Sequence, residues 1–252
     1  MSELPANVTE LFPETPAPDL SIVIPVYNEE AIIYAAVAGL TERLDNDFGF
    51  TYELILSENG SKDRTLDIAR QLQNRHSQVR ILHSDVPDYG LALKRGIEEA
   101  RGAIVICDEI DLCDTDFYRR ALAKIQEENY DMVVGSKAME GAKDKRPPLR
   151  RFATSVINLM LKVGLGFQGT DTHGLKAFNR EQLLPVARRC VVGRDLFASE
   201  FVIRAQRERY RLTEVPIELE ELRAPSVKLT KRVPAVLKGI GKLIWVIRVR
   251  NR

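Results

Sequence analysis

The acidic turn at residues 107–111 carries the side chains best suited to chemistry. It reads Cys-Asp-Glu-Ile-Asp and directly follows the apolar run Ala103–Cys107. In an extended turn, the side chains of Glu109 and Asp111 point the same way, so they can share one ion. Hard divalent cations such as Mg²⁺ or Mn²⁺ take carboxylate oxygens as ligands. The turn therefore predicts a metal site, and the alternative is an acidic turn that is simply solvated.

Two polar loops suggest a ligand pocket. Residues 25–29 (Pro-Val-Tyr-Asn-Glu) end the apolar run Ser21–Val26, and residues 58–61 (Glu-Asn-Gly-Ser) follow a second apolar run. In an open parallel sheet, ligands bind beyond the carboxyl ends of the strands, where loops meet helix N-termini. Free helix amides at such positions bind phosphate. The loops predict a nucleotide pocket, although the first could be an ordinary helix start with Asn28 as N-cap.

The composition indicates one α/β domain. A chain of 252 residues with 44% hydrophobic residues is long enough for one substantial core. Three cysteines without paired spacing fit a reducing, cytoplasmic compartment. No apolar run approaches the roughly 18 residues of a membrane span. Residues 1–18, acidic and rich in proline, are expected to form a flexible tail and do not resemble a signal peptide.

The first half of the chain alternates between strand and helix patterns, which is typical of βαβ units in a mostly parallel sheet flanked by helices. The predicted strands are Ser21–Val26, Tyr52–Leu56, Val79–Leu82, Ala103–Cys107 and Met132–Val134. The predicted helices are Glu29–Leu44, Lys62–His76, Gly90–Arg101 and Asp116–Glu128.

The second half has a different rhythm and is expected to supply the acceptor side. A polar, mobile loop at Lys137–Arg151 precedes an apolar helix at Leu149–Val163. A helix around Phe197–Arg207 and a strand at Arg211–Ile217 follow. We expect one domain over residues 19–232 and a separate basic amphipathic helix over residues 233–252.

Taken in order, the motifs SIVIPVYNEE, ENGSKDRT and IVICDEIDL resemble those of the family 2 glycosyltransferases. The later motifs GSK, RR, DTHGLKAF, ASEF and RLTEVPIE are similar to the dolichyl- or polyprenyl-phosphate sugar synthase branch. The resemblance covers about residues 20–235. It implies a single GT-A-like domain that binds a nucleotide sugar, either a UDP- or a GDP-sugar, together with Mg²⁺ or Mn²⁺.

The resemblance also suggests which residues hold the donor. Glu58 and Asn59 stand where the family usually has two aspartates, and Glu58 can still accept from a base N–H. The family's Asp-x-Asp motif fits best as Glu109 and Asp111, which are the expected metal ligands, with Asp111 also expected to be catalytic. Lys94 either meets a phosphate or belongs to a surface helix. The expected nucleotide-binding residues are Pro25, Tyr27, Asn28, Glu29, Glu58, Asn59, Lys94, Asp108 and Glu109.

Basic residues of the second half are expected to clasp the phosphate of the acceptor. The matching positions are Lys137, Arg150, Arg151, Arg223, Ser226 and Lys228. Arginine suits bidentate phosphate binding, so a lysine at position 137 would give a weaker contact than the family's arginine. Taken singly, each of these residues could be a solvated surface charge.

The acceptor decides the mechanism. A hydroxyl acceptor needs a general base, for which Glu200 or Asp195 are candidates, whereas a lipid phosphate is already ionised and needs none. Glu200 either orients the substrates as a catalytic residue or pairs with Arg204. The basic set favours inverting transfer to a polyprenyl phosphate. The alternatives are transfer to a glycan or small-molecule hydroxyl, and a nucleotide-binding relative without transferase activity.

The last 30 residues are basic. From Arg223 to Arg252 there are nine Lys or Arg and no Asp or Glu, which suggests an anionic partner. Apolar residues recur at helical spacing beside Trp245, as in a helix lying on an anionic lipid surface. Such a helix would place the protein on the inner face of the membrane; the alternative is a helix packed on the sheet. Nucleic acid is not an expected partner, because no recognition motif or aromatic platform accompanies the basic strip.

Overall fold

The computed structural model describes residues 16–145, 147–193, 196–219 and 229–250. A seven-stranded sheet forms its centre. The strands of this sheet are β1 (Leu20–Val26), β2 (Tyr52–Asn59), β3 (Val79–Ser84), β4 (Ile104–Cys107), β5 (Met132–Ser136), β7 (Lys176–Asn179) and β8 (Leu212–Pro216). They lie in the order β3-β2-β1-β4-β7-β5-β8. Only β7 runs antiparallel to its neighbours, β4 and β5. The prediction of an open, mostly parallel α/β sheet is therefore confirmed.

Helices cover both faces of the sheet. They are α1 (Ile33–Asp47), α2 (Thr65–Arg75), α3 (Tyr89–Glu99), α4 (Thr115–Gln126), α5 (Pro148–Leu165), α6 (Arg180–Arg189), α7 (Phe197–Arg207) and α8 (Leu229–Trp245). A π-helical segment (Val246–Arg250) continues α8. Two short strands, β6 (Lys143–Asp144) and β9 (Glu218–Leu219), pair in parallel outside the main sheet.

The core consists of two apolar layers, one on each face of the sheet. Successive side chains of a strand point to opposite faces, so Ile22 and Ile24 pack in one layer and Val23 in the other. The first layer is completed by α1, α2 and α4, and the second by α3, α5, α6, α7 and α8. This explains why the parallel strands read as continuous apolar runs.

Helix α1 begins at Ile33, four residues later than predicted, because the preceding loop is bound to the next loop of the chain. The backbone N–H of Glu29 donates to Thr65 Oγ1 at 2.7 Å. Asn28 has a positive φ of 56° and is not the N-cap, a position that Ile32 occupies. The ordinary helix start considered for this loop is therefore wrong.

Strand β7 and helix α6 were not predicted. Lys176 at the start of β7 and Pro185 inside α6 mask the apolar patterns that would have indicated them. The predicted mobile loop at Lys137–Arg151 contains β6 and the first turn of α5, so it is partly ordered structure. The pairing of β6 with β9 depends on a residue range about 75 positions away, which no local pattern reveals.

The C-terminal helix packs on the domain over the part whose side chains are described. Ile240, Leu243, Val246 and Ile247 are buried in the second apolar layer. The packing alternative therefore holds for this part of the helix. Among the described residues, no helix is both long and apolar enough to span a membrane.

Candidate active site

The predicted pocket lies at the carboxyl-terminal edge of the sheet, beside β1 and β4. These two strands are neighbours, and the strand order reverses between them, so the site coincides with the topological switch point of the sheet. Residues 25–29 leave β1 there, residues 58–61 leave β2, and residues 107–111 leave β4. The structure thus brings together the three segments that the sequence singled out.

The first two loops are hydrogen-bonded to each other. The N–H of Asn28 donates to Ser61 Oγ at 2.9 Å, and the N–H of Lys62 donates to Asn28 Oδ1 at 2.8 Å. Gly60 has a φ of +79°, and a Cβ added there would lie 2.7 Å from the carbonyl oxygen of Asp85. The loops at residues 25–29 and 58–61 are therefore held against each other by contacts within the protein.

The Glu58 carboxylate is buried and stays ionised. Its Oε1 accepts from the N–H of Ser61 at 2.5 Å, and its Oε2 lies 2.5 Å from His83 Nδ1. Burial raises the pKa of Glu58, but the hydrogen bonds from Ser61 and His83 outweigh burial and hold this pKa below its usual value. His83 was not predicted; its only sequence signal is a polar residue at the end of a strand.

Asn59 presents an open acceptor in the same region. The residue is buried, and its Oδ1 has no hydrogen-bond partner among the described residues. Buried polar atoms almost always have a hydrogen-bond partner, so an oxygen without one is a candidate contact for a ligand. A ligand N–H or O–H arriving in the pocket would satisfy it.

Within the acidic turn, the carboxylates have different surroundings. Asp108 is buried and accepts from the N–H groups of Glu109 and Asp114 and from the hydroxyl of Tyr118. Burial raises the pKa of Asp108 to about 7. These contacts engage both oxygens of the Asp108 carboxylate and hold the turn in shape. The expected nucleotide role of Asp108 stays a prediction.

Glu109 and Asp111 form a like-charged pair. Burial raises the pKa of Glu109, and the neighbouring charge of Asp111 raises it further. Such a pair is stabilised by a cation between its members. Among the described residues, no three His, Cys, Asp or Glu side chains come together as a metal site. Mg²⁺ in phosphate sites needs only one or two carboxylates plus the phosphates of the substrate, so the pair fits such an ion.

Two lysines bring positive charge to the same place. Lys137 Nζ lies 2.8 Å from Asp171 Oδ2, and the buried Lys176 donates to the carbonyl of Gly174 at 2.6 Å. Burial raises the pKa of Asp171, but Lys137 outweighs burial and lowers it to about 2. The charges of both lysines act on Glu109. Lys176 was missed; a lone charge in an otherwise apolar run was its only signal.

Two residues with predicted site roles have structural partners. Lys94 Nζ donates to the carbonyl oxygens of Arg188 and Cys190 at 3.0 and 2.8 Å, which ties α3 to the end of α6. The Glu200 carboxylate is fully buried, accepts from the side chain of Arg204 and also accepts from two loop amides, those of residues 191 and 192. Glu200 therefore pairs with Arg204, which is the alternative that the sequence offered to a catalytic role.

Only some of the remaining residues predicted to bind the acceptor lie in the described part of the chain. Arg151 is exposed near the start of α5, and Arg150 lies in the same helix turn. The other predicted residues of the acceptor and base sets lie outside the described residues: Asp195, Arg223, Ser226 and Lys228. Pro25 is buried as part of β1, and Tyr27 is half-buried in the loop after it.

The mostly parallel sheet flanked by helices is the fold of the GT-A class of glycosyltransferases. The chain belongs to glycosyl transferase family 2, whose sequence profile matches residues 21–185. It is 30% identical over 239 residues to a dolichyl-phosphate beta-glucosyltransferase of Trichomonas vaginalis, covering 89% of this chain and 71% of that protein. It is 28% identical over 238 residues to glycosyltransferase AglD of Haloferax volcanii. That match covers 93% of this chain but only 38% of AglD.

Solved structures share the fold. Glucosyl-3-phosphoglycerate synthase from Mycobacterium tuberculosis, crystallised with Mn²⁺, UDP and phosphoglyceric acid, superposes with a TM-score of 0.62 at 19% identity. The match covers 90% of this chain and 78% of the synthase. S. aureus TarS in complex with UDP superposes with a TM-score of 0.57 at 18% identity, over 90% of this chain and 64% of TarS.

Proposed function

We propose that this protein transfers a sugar, with inversion, from a UDP- or GDP-sugar to a polyprenyl-phosphate acceptor at the cytoplasmic face of a membrane. The observation that carries the proposal is the Glu109 and Asp111 pair, placed at the switch point beside two loops that are already bound to each other. The name of the Trichomonas relative, a dolichyl-phosphate glucosyltransferase, supports the acceptor class.

On the donor side, each oxygen of the ionised Glu58 keeps a second lone pair beside its contact with Ser61 or His83, and one of these would accept from a base N–H. Asn59 Oδ1 would accept from a second donor of the nucleotide. Glu109 and Asp111 would hold a Mg²⁺ or Mn²⁺, which supplies charge neutralisation for the departing nucleoside diphosphate. The hydrogen bonds from Asn28 to Ser61 and from Lys62 to Asn28 join the two loops, so we expect the loops to keep their geometry when the donor binds. Ordering of the two loops therefore costs little free energy when the donor binds.

On the acceptor side, the chain offers positive charge rather than a general base. Lys137 and the buried Lys176 lie near the acidic pair, and Arg150, Arg151, Arg223, Ser226 and Lys228 are proposed to complete the phosphate clasp. Glu200 has its oxygens engaged by Arg204 and two amides, so it is not proposed as a base. A phosphate oxygen is already ionised, so it can attack the sugar without a general base. A site that offers positive charge rather than a base therefore favours a phosphate acceptor over a hydroxyl.

A thermal-unfolding panel of UDP- and GDP-sugars, each with and without Mn²⁺, tests the donor site. A ligand at 100 times its Kd adds about 2.7 kcal/mol, which should raise the Tm by about 5–10 °C. Asp111→Asn should remove the part of the shift that depends on Mn²⁺ and lower sugar transfer to polyprenyl phosphate by at least about 100-fold.

Asp67→Asn is the matched control, since Asp67 is an exposed aspartate of α2 whose ion pair within the described part of the chain is with Arg70. It should leave both the shift and the transfer unchanged. If no nucleotide raises the Tm of the unaltered protein, the proposed donor site is wrong. If nucleotides bind but sugar reaches only hydroxyl acceptors, the acceptor class is wrong.

A further inference from the structure

Helix α5 exposes a continuous apolar stripe. Its members recur at helical spacing, three or four positions apart, so they share one face of the helix. They are Leu149, Phe152, Val156, Leu159 and Val163, and between 38% and 75% of each is exposed. The opposite face packs on the domain through the buried Asn158, Leu161 and Leu165. Contiguous apolar surface of this kind marks an interaction site.

The C-terminal helix extends this surface. Helices α5 and α8 touch closely: a Cβ added to Gly164 would lie 2.7 Å from Ile244 Cδ1. Next to this contact, Trp245 and Val249 are 54% and 60% exposed. The buried residues of the same segment, such as Leu243, face the core instead. The main apolar contact surface therefore belongs to α5, and α8 contributes its edge.

The charges of both helices have one sign. Neither α5 nor residues 229–250 contain any Asp or Glu, whereas they contain three and six Lys or Arg respectively. Lys162, Lys238, Lys242 and Arg248 are exposed. Two copies of this surface facing each other would repel, so self-association is disfavoured. An apolar stripe with basic flanks and an exposed tryptophan fits an anionic lipid surface.

Helix α5 lies next to the proposed acceptor site, and it contacts that site through its buried face. Helix α5 occupies the connection between Lys137 and Asp171, whose side chains are paired at 2.8 Å. Asn158 Nδ2 donates to the carbonyl of Thr170 at 2.6 Å, which holds the helix against the turn that carries Asp171. Because Asn158 lies on the face opposite the stripe, a surface in contact with the stripe is about one helix diameter, roughly 10–12 Å, from the turn that carries Asp171.

We infer that α5 docks the protein on the surface of an anionic lipid bilayer, with Phe152 and Leu159 among the inserted side chains. The reason for such docking rests on the proposed function, which has a lipid acceptor. Lipid binding itself does not depend on sugar transfer and can be measured separately. It places the membrane contact on a helix in the middle of the chain rather than on the C-terminal helix alone. A lipid acceptor would then present its phosphate beside Lys137.

Vesicle binding by the full chain tests the inference. The probes are vesicles of phosphatidylcholine alone and vesicles of phosphatidylcholine with phosphatidylglycerol, whose negative surface charge attracts basic segments. Sedimentation measures binding, and Trp245, the single tryptophan, reports it by a blue shift of its fluorescence. We expect binding to the anionic vesicles only, and weaker binding at high salt.

The double variant Phe152→Glu/Leu159→Glu should bind at least about 100-fold more weakly, since burying one large apolar side chain is worth roughly tenfold or more. Val86→Glu is the matched control, because Val86 is 56% exposed but lies between β3 and α3. It should bind the vesicles like the unaltered protein. Both variants should keep the nucleotide-induced rise in Tm, which separates this inference from the donor site.

Three results would overturn the inference. The first is no binding to anionic vesicles by a chain that still binds nucleotide. The second is unchanged vesicle binding by the double variant. The third is a dimer in sedimentation-velocity experiments that the double variant dissociates, which would assign the stripe to a second copy of the chain.

Discussion

At the scale of single residues, the neighbours of a charge decide what it does. Asp108 and Asp111 are three positions apart in one turn, yet the first is enclosed by Tyr118 and two amides while the second is exposed beside Glu109. Glu200 and Lys94 show the same effect, since Glu200 also accepts from two loop amides and Lys94 donates to two backbone carbonyls, which are contacts that a motif cannot reveal. Residue type therefore indicates candidate chemistry, and local contacts select among the candidates.

The buried pair of Asp171 and Lys137 should make stability depend on pH. Because the folded-state pKa of Asp171 is lowered to about 2, its contribution is present above about pH 4 and is lost as the pH falls toward 2. Asp171→Asn should lower the free energy of unfolding by about 3–5 kcal/mol at pH 7, because Lys137 keeps an uncompensated charge. Urea unfolding at pH 7, 5, 4 and 3 measures the difference.

The difference between Asp171→Asn and the unaltered protein should shrink below pH 4, where the unaltered protein loses the same interaction. The exposed Asp67→Asn variant is the control and should change stability by less than about 0.5 kcal/mol at every pH. A constant difference across this range would contradict the assignment of the ion pair as the cause.

At the scale of elements, close backbone contacts hold the site together. A Cβ added to Gly174 would lie only 1.6 Å from the carbonyl oxygen of Gly135, so the turn before β7 and the end of β5 touch through their backbones. This contact joins the segment that carries Asp171 to the segment that carries Lys137. The glycine is therefore required by packing at this position.

Gly174→Ala should cost about 1–3 kcal/mol or more, because the added Cβ would overlap the carbonyl oxygen of Gly135 and one of the two backbones would have to shift. Gly39→Ala in α1 is the matched control, since a Cβ there would meet nothing within 4 Å. It should stabilise the protein by about 0.5–1 kcal/mol, the usual gain of alanine over glycine within a helix. Thermal unfolding of both variants measures the difference, and equal stabilities would contradict the packing argument.

At the scale of the whole molecule, β7 joins the two halves of the chain in one sheet. This strand comes from the second half but lies between β4 and β5, and β8 extends the same sheet beyond β5. The two halves that the sequence pattern separates into donor and acceptor sides therefore share one sheet and one pair of apolar layers.

We accordingly expect a single cooperative unfolding transition. Far-UV circular dichroism, which follows the whole sheet, and the fluorescence of Trp245, which follows the C-terminal helix, should give the same midpoint in urea. The buried Ile240 and Leu243 couple that helix to the second apolar layer. An earlier transition of the tryptophan signal would show that the helix unfolds independently of the domain.

The sequence by itself determined the alternation of strands and helices in the first half, and with it the open parallel sheet, because apolar periodicity depends on local geometry. It also placed the loops at residues 25–29, 58–61 and 107–111 at one edge of that sheet. The motifs identified the family, and the family profile agrees.

Only the tertiary structure decided the partners of the charges and the position of β7. His83 reaches Glu58 across 25 positions, and Lys176 enters the site from a strand that pairs with a segment about 70 positions earlier. It also buried Ile240, Leu243 and Ile247 of the predicted apolar face of the C-terminal helix and left the apolar stripe of α5 exposed. Such contacts join residues far apart in the chain, and local propensity contains no information about which distant surfaces will meet.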